Sequence, residues 1–480
     1  MRPPLPFADE ARLTRRQVNS APMRYRPPVR SRPASHSDHP TADLACVALR
    51  ATAWADPVEV ASAFADEIHA CVLLSGAEGW SYVLRRPDAV VDAGRDLEAL
   101  LGTGTALSDG PPFQGGVVGL AAYELSAQVE ATAPQARGDW PDLTLLRYPA
   151  LLAFHAGQRR AVAIGRGPDA RAAAAAADFA LSWLDAPRRA PRAGMLAAEA
   201  VLATSDRRHA AAVAETVDRI AAGEIFQANL ARPWRGRLAA GASPFDLFAR
   251  LARQSTAGYA AFLNLPGRAL VSNSPERFLS VRRQADGLWA ETHPIKGTRP
   301  RGADPAADAA LAAELLASQK DRAENLMIVD LMRNDLARVS APGTVEVPEL
   351  YGLRSYSNVH HLVSRVRARL QPGRTAWDAF LAAFPPGSVT GAPKLQAMQV
   401  IARHEAPRGP YCGSLFWAGV DAALEASVLI RTVALTENAA GWAFEARAGG
   451  GIVADSDPRA EVGETTAKIG AILKALMGEP

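Results

Sequence analysis

The chain has 480 residues, of which 48% are hydrophobic and 21% are charged, an ordinary composition for a soluble enzyme. Its length exceeds the roughly 250–300 residues at which one core stops growing, so scaling alone predicts two or three domains. A formal net charge of +3 is too small at this length to indicate nucleic-acid binding. No apolar run reaches the ~18 residues of a membrane span, and the first residues lack the hydrophobic core of a secretory signal. We therefore expect a cytoplasmic protein that binds neither nucleic acid nor a membrane.

Cysteine usage indicates the same compartment. Cys46, Cys71 and Cys412 are an odd number of cysteines, lie far apart and lack the spacing of metal ligands. Such a set is typical of a reducing cytoplasm rather than of a disulfide framework. We expect all three to be structural.

The first segment of the chain, 1–42, is rich in arginine and proline and has few large apolar side chains. Burial of so little apolar surface cannot offset the entropy of ordering, so we predict a disordered tail. A nucleic-acid-binding arm and a start codon assigned too early are the alternatives.

The next region, 43–185, has the alternating pattern of short strands and helices and contains no cluster of acids, histidines or cysteines. We therefore assign it structural and regulatory work. The predicted elements are a helix over 58–69, antiparallel strands over 71–75 and 80–84, a hairpin over 143–155 and 160–165, and a helix from Ala172 to near Asp185.

A basic, proline-containing segment over 186–200 is the best linker candidate, and 201–478 then forms the predicted catalytic region. This region begins with a predicted helix over 209–222 and a turn into a strand over 223–230. Residues 311–337 have the length and the Ala/Leu/Glu/Met composition of one long helix. The catalytic region also contains every stretch whose polar residues and glycines are dense enough for chemistry.

Lys296 lies in the sequence Pro-Ile-Lys-Gly-Thr-Arg, at the end of an apolar, strand-like approach. A lysine held near other cations or in a dry pocket loses its proton and becomes a nucleophile. An ordinary basic surface turn is the alternative, because most lysines are exposed.

Two acidic pairs share one spacing. Asp321 and Glu324 lie on the predicted long helix, and Glu461 and Glu464 lie on a predicted C-terminal helix. Residues three apart share a helix face, so two such helices can direct carboxylates toward one point, which suits Mg²⁺. Solvated helix faces are the alternative, since acidic pairs usually decorate them.

Five stretches together resemble the chorismate-utilising enzyme family, and the resemblance is dense from about residue 205 to 475. It implies an α/β fold of the α+β type, in which two packed sheets surrounded by helices form one large unit, the chorismate-binding enzyme fold. This expectation conflicts with the scaling estimate, and we follow the resemblance. The region 43–185 would then be the N-terminal part that is similar to anthranilate synthase component I. The stretches are 272–278, 294–299, 321–330, 386–394 and 448–458.

The resemblance implies a transaminase-type amination of chorismate to 4-amino-4-deoxychorismate, on the route to para-aminobenzoate and folate. Glu276 would be the general acid that protonates the departing C4 hydroxyl. Lys296 would add at C2 as this hydroxyl leaves, and ammonia would then add at C4 and expel the lysine. His361 matches a catalytic histidine that the aminating members share.

Two positions separate the branches of the family. Members that form anthranilate typically have alanine in place of Lys296. Members that form salicylate or isochorismate have a lysine base in place of Gln227, and a glutamine cannot deprotonate water. Anthranilate formation and a catalytically silent chorismate-binding subunit are the alternatives to the amination at C4.

The resemblance also implies the residues that hold the substrate and Mg²⁺. Glu324 and Glu464 would carry the metal, with Asp321 and Glu461 in support. Glycine backbone N–H groups and paired guanidinium donors suit the carboxylates of chorismate. The implied substrate-binding residues are Thr298, Tyr411, Arg431, Gly449, Gly450, Gly451 and Lys468.

The source of nitrogen is expected to be another protein. The chain has no cysteine in a glutaminase nucleophile elbow and no partner histidine pattern. We therefore expect ammonia from a separate glutamine amidotransferase subunit in a heterodimer, with chorismate as the other substrate. Whether tryptophan or another ligand binds the N-terminal sheet, and whether the product serves folate or a secondary metabolite, stay open.

Overall fold

The computed structural model describes residues 43–76, 79–92, 97–130, 132–190, 192–254, 257–356 and 359–478. The predicted tail, 1–42, lies outside them. The strands of the described residues are β1 (Cys46–Thr52), β2 (Cys71–Leu73), β3 (Trp80–Leu84), β4 (Ala89–Asp92), β5 (Gly116–Ala121), β6 (Leu143–Tyr148), β7 (Ala150–His155), β8 (Arg160–Gly167), β9 (Ala197–Leu202), β10 (Gln227–Leu238), β11 (Tyr259–Leu265), β12 (Arg268–Ser274), β13 (Arg277–Gln284), β14 (Gly287–Thr292), β15 (Ile295–Pro300), β16 (Glu346–Ser355), β17 (Val359–Arg369), β18 (Gly391–Ala392), β19 (Ser414–Gly419), β20 (Leu424–Val428), β21 (Thr432–Asn438) and β22 (Gly441–Ile452). The helices are α1 (Pro57–Ser62), α2 (Leu97–Leu101), α3 (Ser126–Val129), α4 (Ala170–Leu181), α5 (Asp206–Ala221), α6 (Pro244–Gln254), α7 (Pro305–Ala317), α8 (Gln319–Ala337), α9 (Ala376–Ala383), α10 (Lys394–His404) and α11 (Pro458–Met477).

These strands form two large sheets. The first follows the order β1-β8-β7-β3-β2-β11-β12-β21-β22-β10-β18, with β9 beside β10. The second follows the order β15-β17-β14-β13-β20-β19-β5-β6-β4, with β16 beside β17. Neighbours run antiparallel, as β1 does with β8 and β19 does with β5.

Strands from both sides of the predicted linker share both sheets. The N-terminal region supplies β1, β2, β3, β7 and β8 to the first sheet and β4, β5 and β6 to the second. Because neither region completes a sheet alone, the described residues fold as one compact unit. The prediction of a single unit with two packed sheets is confirmed, and the scaling estimate of two or three domains is wrong for the described residues.

The space between the two sheets is filled by aromatic side chains from both. Phe113, just before β5, stacks on Trp417 of β19 with ring centroids 4.9 Å apart. Tyr82 of β3 meets Phe113 edge-on at 5.6 Å. The helices α6 and α11 pack on the outer face of the first sheet, and α8 and α9 pack on the second. The burial of these faces supplies the hydrophobic stabilisation of the fold.

The segment predicted as a linker is attached to the rest of the fold. Its last residues begin β9, which pairs with β10. Arg188 forms an ion pair with Glu59 at 2.8 Å, and Arg189 forms one with Asp246 at 3.2 Å. The segment therefore joins two parts of one sheet rather than two separate bodies.

The predicted long helix over 311–337 is wrong as a single element, because it breaks at Ser318. This residue has an extended ψ of 108° between α7 and α8. Its hydroxyl accepts a hydrogen bond from the backbone N–H of Asp321 and so caps α8. Serine is a strong N-cap residue, and its cap starts α8 as a helix separate from α7.

The predicted helix over 58–69 is also too long. The helix α1 ends at Ser62, and His69 has a positive φ of 69°, which no helix accommodates. His69 instead donates its backbone N–H to the carbonyl oxygen of Asn264, which aligns the chain for the pairing of β2 with β11. The predicted antiparallel pair over 71–75 and 80–84 is confirmed as β2 and β3. No helix in the described part of the chain is both long and apolar enough to span a membrane.

Candidate active site

A cavity of about 630 Å³ lies where α8 and β15 face α11 and β22. Residues from distant parts of the chain line it, and they include all but one of the fourteen candidate site residues. The exception is Gly450, which lies against Glu461 instead. The candidates that line the cavity are Glu276, Lys296, Thr298, Asp321, Glu324, His361, Tyr411, Arg431, Gly449, Gly451, Glu461, Glu464 and Lys468.

Lys296 lies on β15 and is partly buried. Burial lowers the pKa of its ammonium group, Glu324 opposes this shift, and the positive charge of Lys468 adds to it. Among the described residues, no carboxylate is close enough to Lys296 to form an ion pair. The lysine therefore has the environment that favours its neutral, nucleophilic form.

The glycines of β22 allow this close packing. A Cβ atom at Gly451 would lie 3.3 Å from the Lys296 amine and 2.9 Å from the side-chain nitrogen of Gln227. A Cβ atom at Gly450 would lie 2.8 Å from a carboxylate oxygen of Glu461. Side chains at these two positions would displace the lysine or the carboxylate, so the sequence needs glycine here for space.

Glu276 lies in the connection between β12 and β13 and is only 7% exposed. Burial raises the pKa of its carboxyl group, while the hydroxyl of Ser388, which donates to it at 2.6 Å, and the nearby Lys296 act in the opposite direction. The raised pKa favours the protonated carboxyl group that a general acid requires.

His361 of β17 faces Thr298 of β15 across the strand pair. The Thr298 hydroxyl lies 2.9 Å from Nδ1 of His361. Burial, together with the charge of Arg431, lowers the pKa of His361 to about 4. The imidazole is therefore neutral near pH 7, and its second nitrogen can hydrogen-bond to a ligand in the cavity.

Four carboxylates form the acidic side of the cavity. Burial raises the pKa of Glu324 and of Glu461, and the charge of Glu464 raises both further. Lys468 donates to Glu464 at 2.5 Å, and Arg299 donates to Asp321 at 3.2 Å.

This carboxylate cluster fits a hard cation that takes only part of its shell from protein. Among the described residues, no group of three or more His, Cys, Asp or Glu side chains is arranged to enclose a metal ion. Mg²⁺ usually binds through one or two carboxylates and completes its octahedron with waters or substrate oxygens. Glu324 and Glu464, which both line the cavity, match that requirement.

Cationic and phenolic side chains line the rest of the cavity. Arg431 lines it with a positive φ of 50° and makes no ion pair with a described residue, so its guanidinium group is not used by an internal acid. Tyr411 is buried beside it. Lys468 donates to the carbonyl oxygen of Gly449 at 2.9 Å.

Six polar residues that line this cavity were not candidates from the sequence, and two of them, Ser388 and Asn229, have environments that suggest a role. The others are Arg299, Ser318, Lys320 and Arg447. Ser388 lies within the recognised stretch 386–394 but had no assigned role, because its partner Glu276 is 112 residues away. Asn229 lines the cavity, and its buried side-chain oxygen has no hydrogen-bond partner. Asn229 lies within the predicted turn and strand over 223–230, at the start of β10, and only this position could have indicated it.

Known proteins provide the comparison for this arrangement. The chorismate binding enzyme family matches residues 66–474. The chain is 41% identical to aminodeoxychorismate synthase of Streptomyces pristinaespiralis over 82% of its own length, and it spans 55% of that relative. It is 39% identical to aminodeoxychorismate synthase component 1 of Salmonella typhimurium, covering 76% of this chain and 77% of the relative. It is 40% identical to anthranilate synthase component 1 of Aeropyrum pernix, covering 71% and 72% respectively.

Solved structures show the same architecture. The crystal structure of anthranilate synthase component I from Streptococcus pneumoniae superimposes with a TM-score of 0.69 at 25% identity. The match covers 92% of this chain and 94% of that structure. The family match, the curated relatives and the shared fold agree, and the chain therefore belongs to the chorismate-binding enzymes.

Proposed function

We propose that this chain aminates chorismate at C4 and forms 4-amino-4-deoxychorismate, the activity for which aminodeoxychorismate synthase component 1 is named. The observation that carries the proposal is Lys296, a lysine of lowered pKa in the same cavity as the buried acid Glu276. Relatives named for anthranilate synthesis are about as similar to the chain as those named for aminodeoxychorismate synthesis. Overall sequence identity therefore does not distinguish the two reactions. The proposal depends instead on the presence of the nucleophile Lys296.

The proposed reaction has two displacements. The neutral amine of Lys296 forms a bond to C2 of chorismate, both ring double bonds shift, and the C4 oxygen leaves as water after taking a proton from Glu276. Ammonia then forms a bond to C4, both double bonds shift back, and the amine of Lys296 leaves from C2. The proton that the new ammonium group at C4 loses returns to Glu276. Chorismate and ammonia thus give the amino product and water, and the enolpyruvyl group is retained.

Ser388 positions the acid in this scheme. Its hydroxyl holds one oxygen of Glu276 at 2.6 Å, and both residues are buried. A fixed carboxyl group can place its proton on the departing oxygen without reorganisation, which is the requirement for efficient acid catalysis.

Fixed donors would hold the two carboxylates of the substrate. Arg431 presents paired N–H donors, and it is free to use them because no described acid pairs with it. Tyr411, Lys468 and the Gly449–Gly451 strand add donors around it. Thr298 and the neutral His361 would contact the ring from the other strand pair.

The carboxylate cluster would bind Mg²⁺ through Glu324 and Glu464, with Asp321 and Glu461 supporting them. When bound, the cation would neutralise the ring carboxylate and draw electron density from the ring. The cation would also oppose the effect of burial, which raises the pKa of Glu324 and Glu461, and the smaller effect of the Glu464 charge, which acts in the same direction.

Ammonia would come from a separate glutamine amidotransferase subunit. Relatives named for either reaction carry names that end in "component 1", as expected for one subunit of a pair. The purified chain should accordingly use ammonium salts but not glutamine. Turnover with glutamine alone would contradict this part of the proposal.

Anthranilate formation is the second candidate, because relatives of equal similarity are named for it. In that reaction ammonia would attack C2 directly, and Lys296 would occupy the space the nucleophile needs. A catalytically silent chorismate-binding subunit is a third reading, and a filled set of catalytic positions opposes it.

Product identity tests the proposal. Purified protein is mixed with chorismate, Mg²⁺ and ammonium, and the product is identified by mass and fluorescence, together with a search for a chorismate-derived adduct on the Lys296 peptide. We expect the wild type to form 4-amino-4-deoxychorismate and Lys296→Ala to lose most of this activity. Any product that the variant still forms should include anthranilate, from direct attack of ammonia at C2. Lys320→Ala, which removes an exposed lysine at the same cavity, is the matched control and should keep the product. Wild-type rates in Lys296→Ala would overturn the mechanism.

A further inference from the structure

A second cavity of about 370 Å³ lies against β10, the first half of α5 and the end of α10. Four arginines line it, against two glutamates and two histidines. None of these residues was singled out by the sequence analysis. The arginines are Arg208, Arg235, Arg403 and Arg447.

Some of the charges around this cavity already have partners. Glu445 pairs with Arg235 at 2.7 Å and with Arg447 at 2.6 Å. The two lining acids are also occupied, since Glu215 pairs with Arg219 and Glu405 pairs with Arg408.

Two of the four arginines that line the cavity have no such partner. Within the part of the chain that the structure describes, the side chains of Arg208 and Arg403 have no ion pair and no hydrogen bond. The cavity wall therefore carries two guanidinium groups without a direct partner, although the charge of Glu215 acts on Arg403 from a longer distance.

A buried imidazole on the same wall also lacks a partner. His209 is 3% exposed, and its Nε2 has no hydrogen-bond partner among the described residues. Burial and the nearby Arg232 lower the pKa of His209 to about 4, so the ring is neutral near pH 7. Leaving a buried polar nitrogen unpaired costs free energy, which a ligand oxygen that reached this nitrogen would recover.

The wall of this cavity is shared with the active site. Arg447 lines both cavities. It donates to the carbonyl oxygen of Pro407 at 2.7 Å, and the adjacent Arg408 donates to the carbonyl oxygen of Asn229, an active-site residue, also at 2.7 Å. Glu405 accepts a hydrogen bond from the backbone N–H of Ala231 on the same strand. A ligand that attracts Arg447 would thus pull on the strand that supports the active site.

We propose that this cavity binds a small dianion that carries carboxylate or phosphate groups, and that its occupancy alters chorismate binding through Arg447. Arg208 and Arg403 supply two charges for the two negative charges of the ligand, and His209 supplies a hydrogen bond. This site is separate from the chorismate cavity, and its existence does not depend on which reaction the active site performs.

Binding is measured by calorimetry and by thermal unfolding, with inorganic phosphate in one arm and malonate in the other. Sodium chloride at matched ionic strength controls for screening. The test variants are Arg208→Gln and Arg403→Gln, which change exposed side chains and should fold normally. The matched control is Arg207→Gln, an exposed arginine one residue earlier on α5 that does not line the cavity.

We expect phosphate or malonate to bind the wild type and Arg207→Gln with a dissociation constant below about 1 mM. Each test variant should weaken binding about tenfold, because one charge-assisted hydrogen bond is lost. The anion that binds more tightly shows whether the site prefers phosphate or carboxylate groups. Equal binding by all variants, or no binding in either arm, would overturn the site. If an anion binds without changing the KM for chorismate, the link through Arg447 is wrong.

Discussion

Two regions of the molecule each contain a lysine with restricted access to water, and the two lysines differ in whether a carboxylate pairs with them. Lys394, at the start of α10, donates to Asp335 at 2.6 Å and to the carbonyl oxygen of Ala383, and its side chain is 10% exposed. Lys296, in the active-site cavity, has no ion pair with a described residue, and burial lowers its pKa. A buried ammonium with a carboxylate partner is held in its charged form and serves structure. One without such a partner is driven toward the neutral amine and is available for chemistry.

The largest difference between the regions should appear when each lysine becomes arginine. We expect Lys296→Arg to abolish formation of 4-amino-4-deoxychorismate, because a guanidinium stays protonated near neutral pH and cannot act as the nucleophile. Lys394→Arg keeps the positive charge beside Asp335 and should retain measurable activity. The rate of product formation for both variants, measured with chorismate and ammonium, tests this. Similar losses in both would remove the distinction between the two lysines.

The next largest effect concerns the metal. Glu324 at the active site forms no ion pair with a described residue, whereas Asp335 pairs with Lys394 at 2.6 Å. EDTA should therefore abolish turnover and added Mg²⁺ should restore it in the wild type, but not in Glu464→Gln. The measurement is the rate of chorismate consumption before and after each addition. Full activity in the presence of the chelator would contradict the Mg²⁺ assignment.

The third effect concerns the buried acid Glu276 and the serine that positions it. Glu276→Gln removes the proton donor and should lower kcat by about 10²- to 10⁴-fold, with a smaller change in the KM for chorismate. Ser388→Ala should cause a smaller loss, because the acid remains but is less well positioned. Steady-state kinetics of the two variants decide this, and an equal kcat for Glu276→Gln and wild type would exclude Glu276 as the acid.

In the Lys394 region the main effect should be on stability. Lys394→Met leaves Asp335 buried without its partner, which typically costs about 3–5 kcal/mol of the free energy of unfolding. Denaturant unfolding of wild type and variant measures the difference. The double variant Lys394→Met with Asp335→Leu, which removes both charges, is the control and should recover much of the loss. A single variant as stable as the wild type would show that the pair contributes little.

Lys296→Met should have the smallest and opposite effect on stability. The folded pKa of Lys296 lies below its ordinary value of 10.5, so the unfolded state binds the proton more tightly. The resulting destabilisation is fully present below the folded pKa and disappears as the pH rises past 10.5. The variant should therefore be slightly more stable than the wild type near pH 7, and the difference in Tm should shrink as the pH rises from the lowered pKa toward 10.5. A variant less stable at every pH would contradict the lowered pKa.

Local sequence accounts for much of the active site. The acidic pair Asp321 and Glu324 needs only the three-residue spacing of a helix to face one direction, and α8 provides it. Glu461 and Glu464 do the same on α11. Such spacings are properties of one element, and they hold wherever that element packs.

Other features depended on contacts that no local pattern contains. The break at Ser318 follows from a single cap, which interrupts an otherwise helical composition over 311–337. Ser388 became part of the site only because folding places it beside Glu276. The arginine-lined cavity likewise gathers residues from α5, β10, α10 and β22 that share no motif.

By itself, the sequence determined the family, the two-sheet fold and the set of side chains gathered at the cavity, because recognisable motifs and short helical spacings specify them. Only the tertiary structure decided which of two lysines, Lys296 and Lys394, lacks a carboxylate partner. Burial and pairing set the pKa of an ionisable group, and both depend on neighbours that lie far away in the chain and come close only when the two sheets pack.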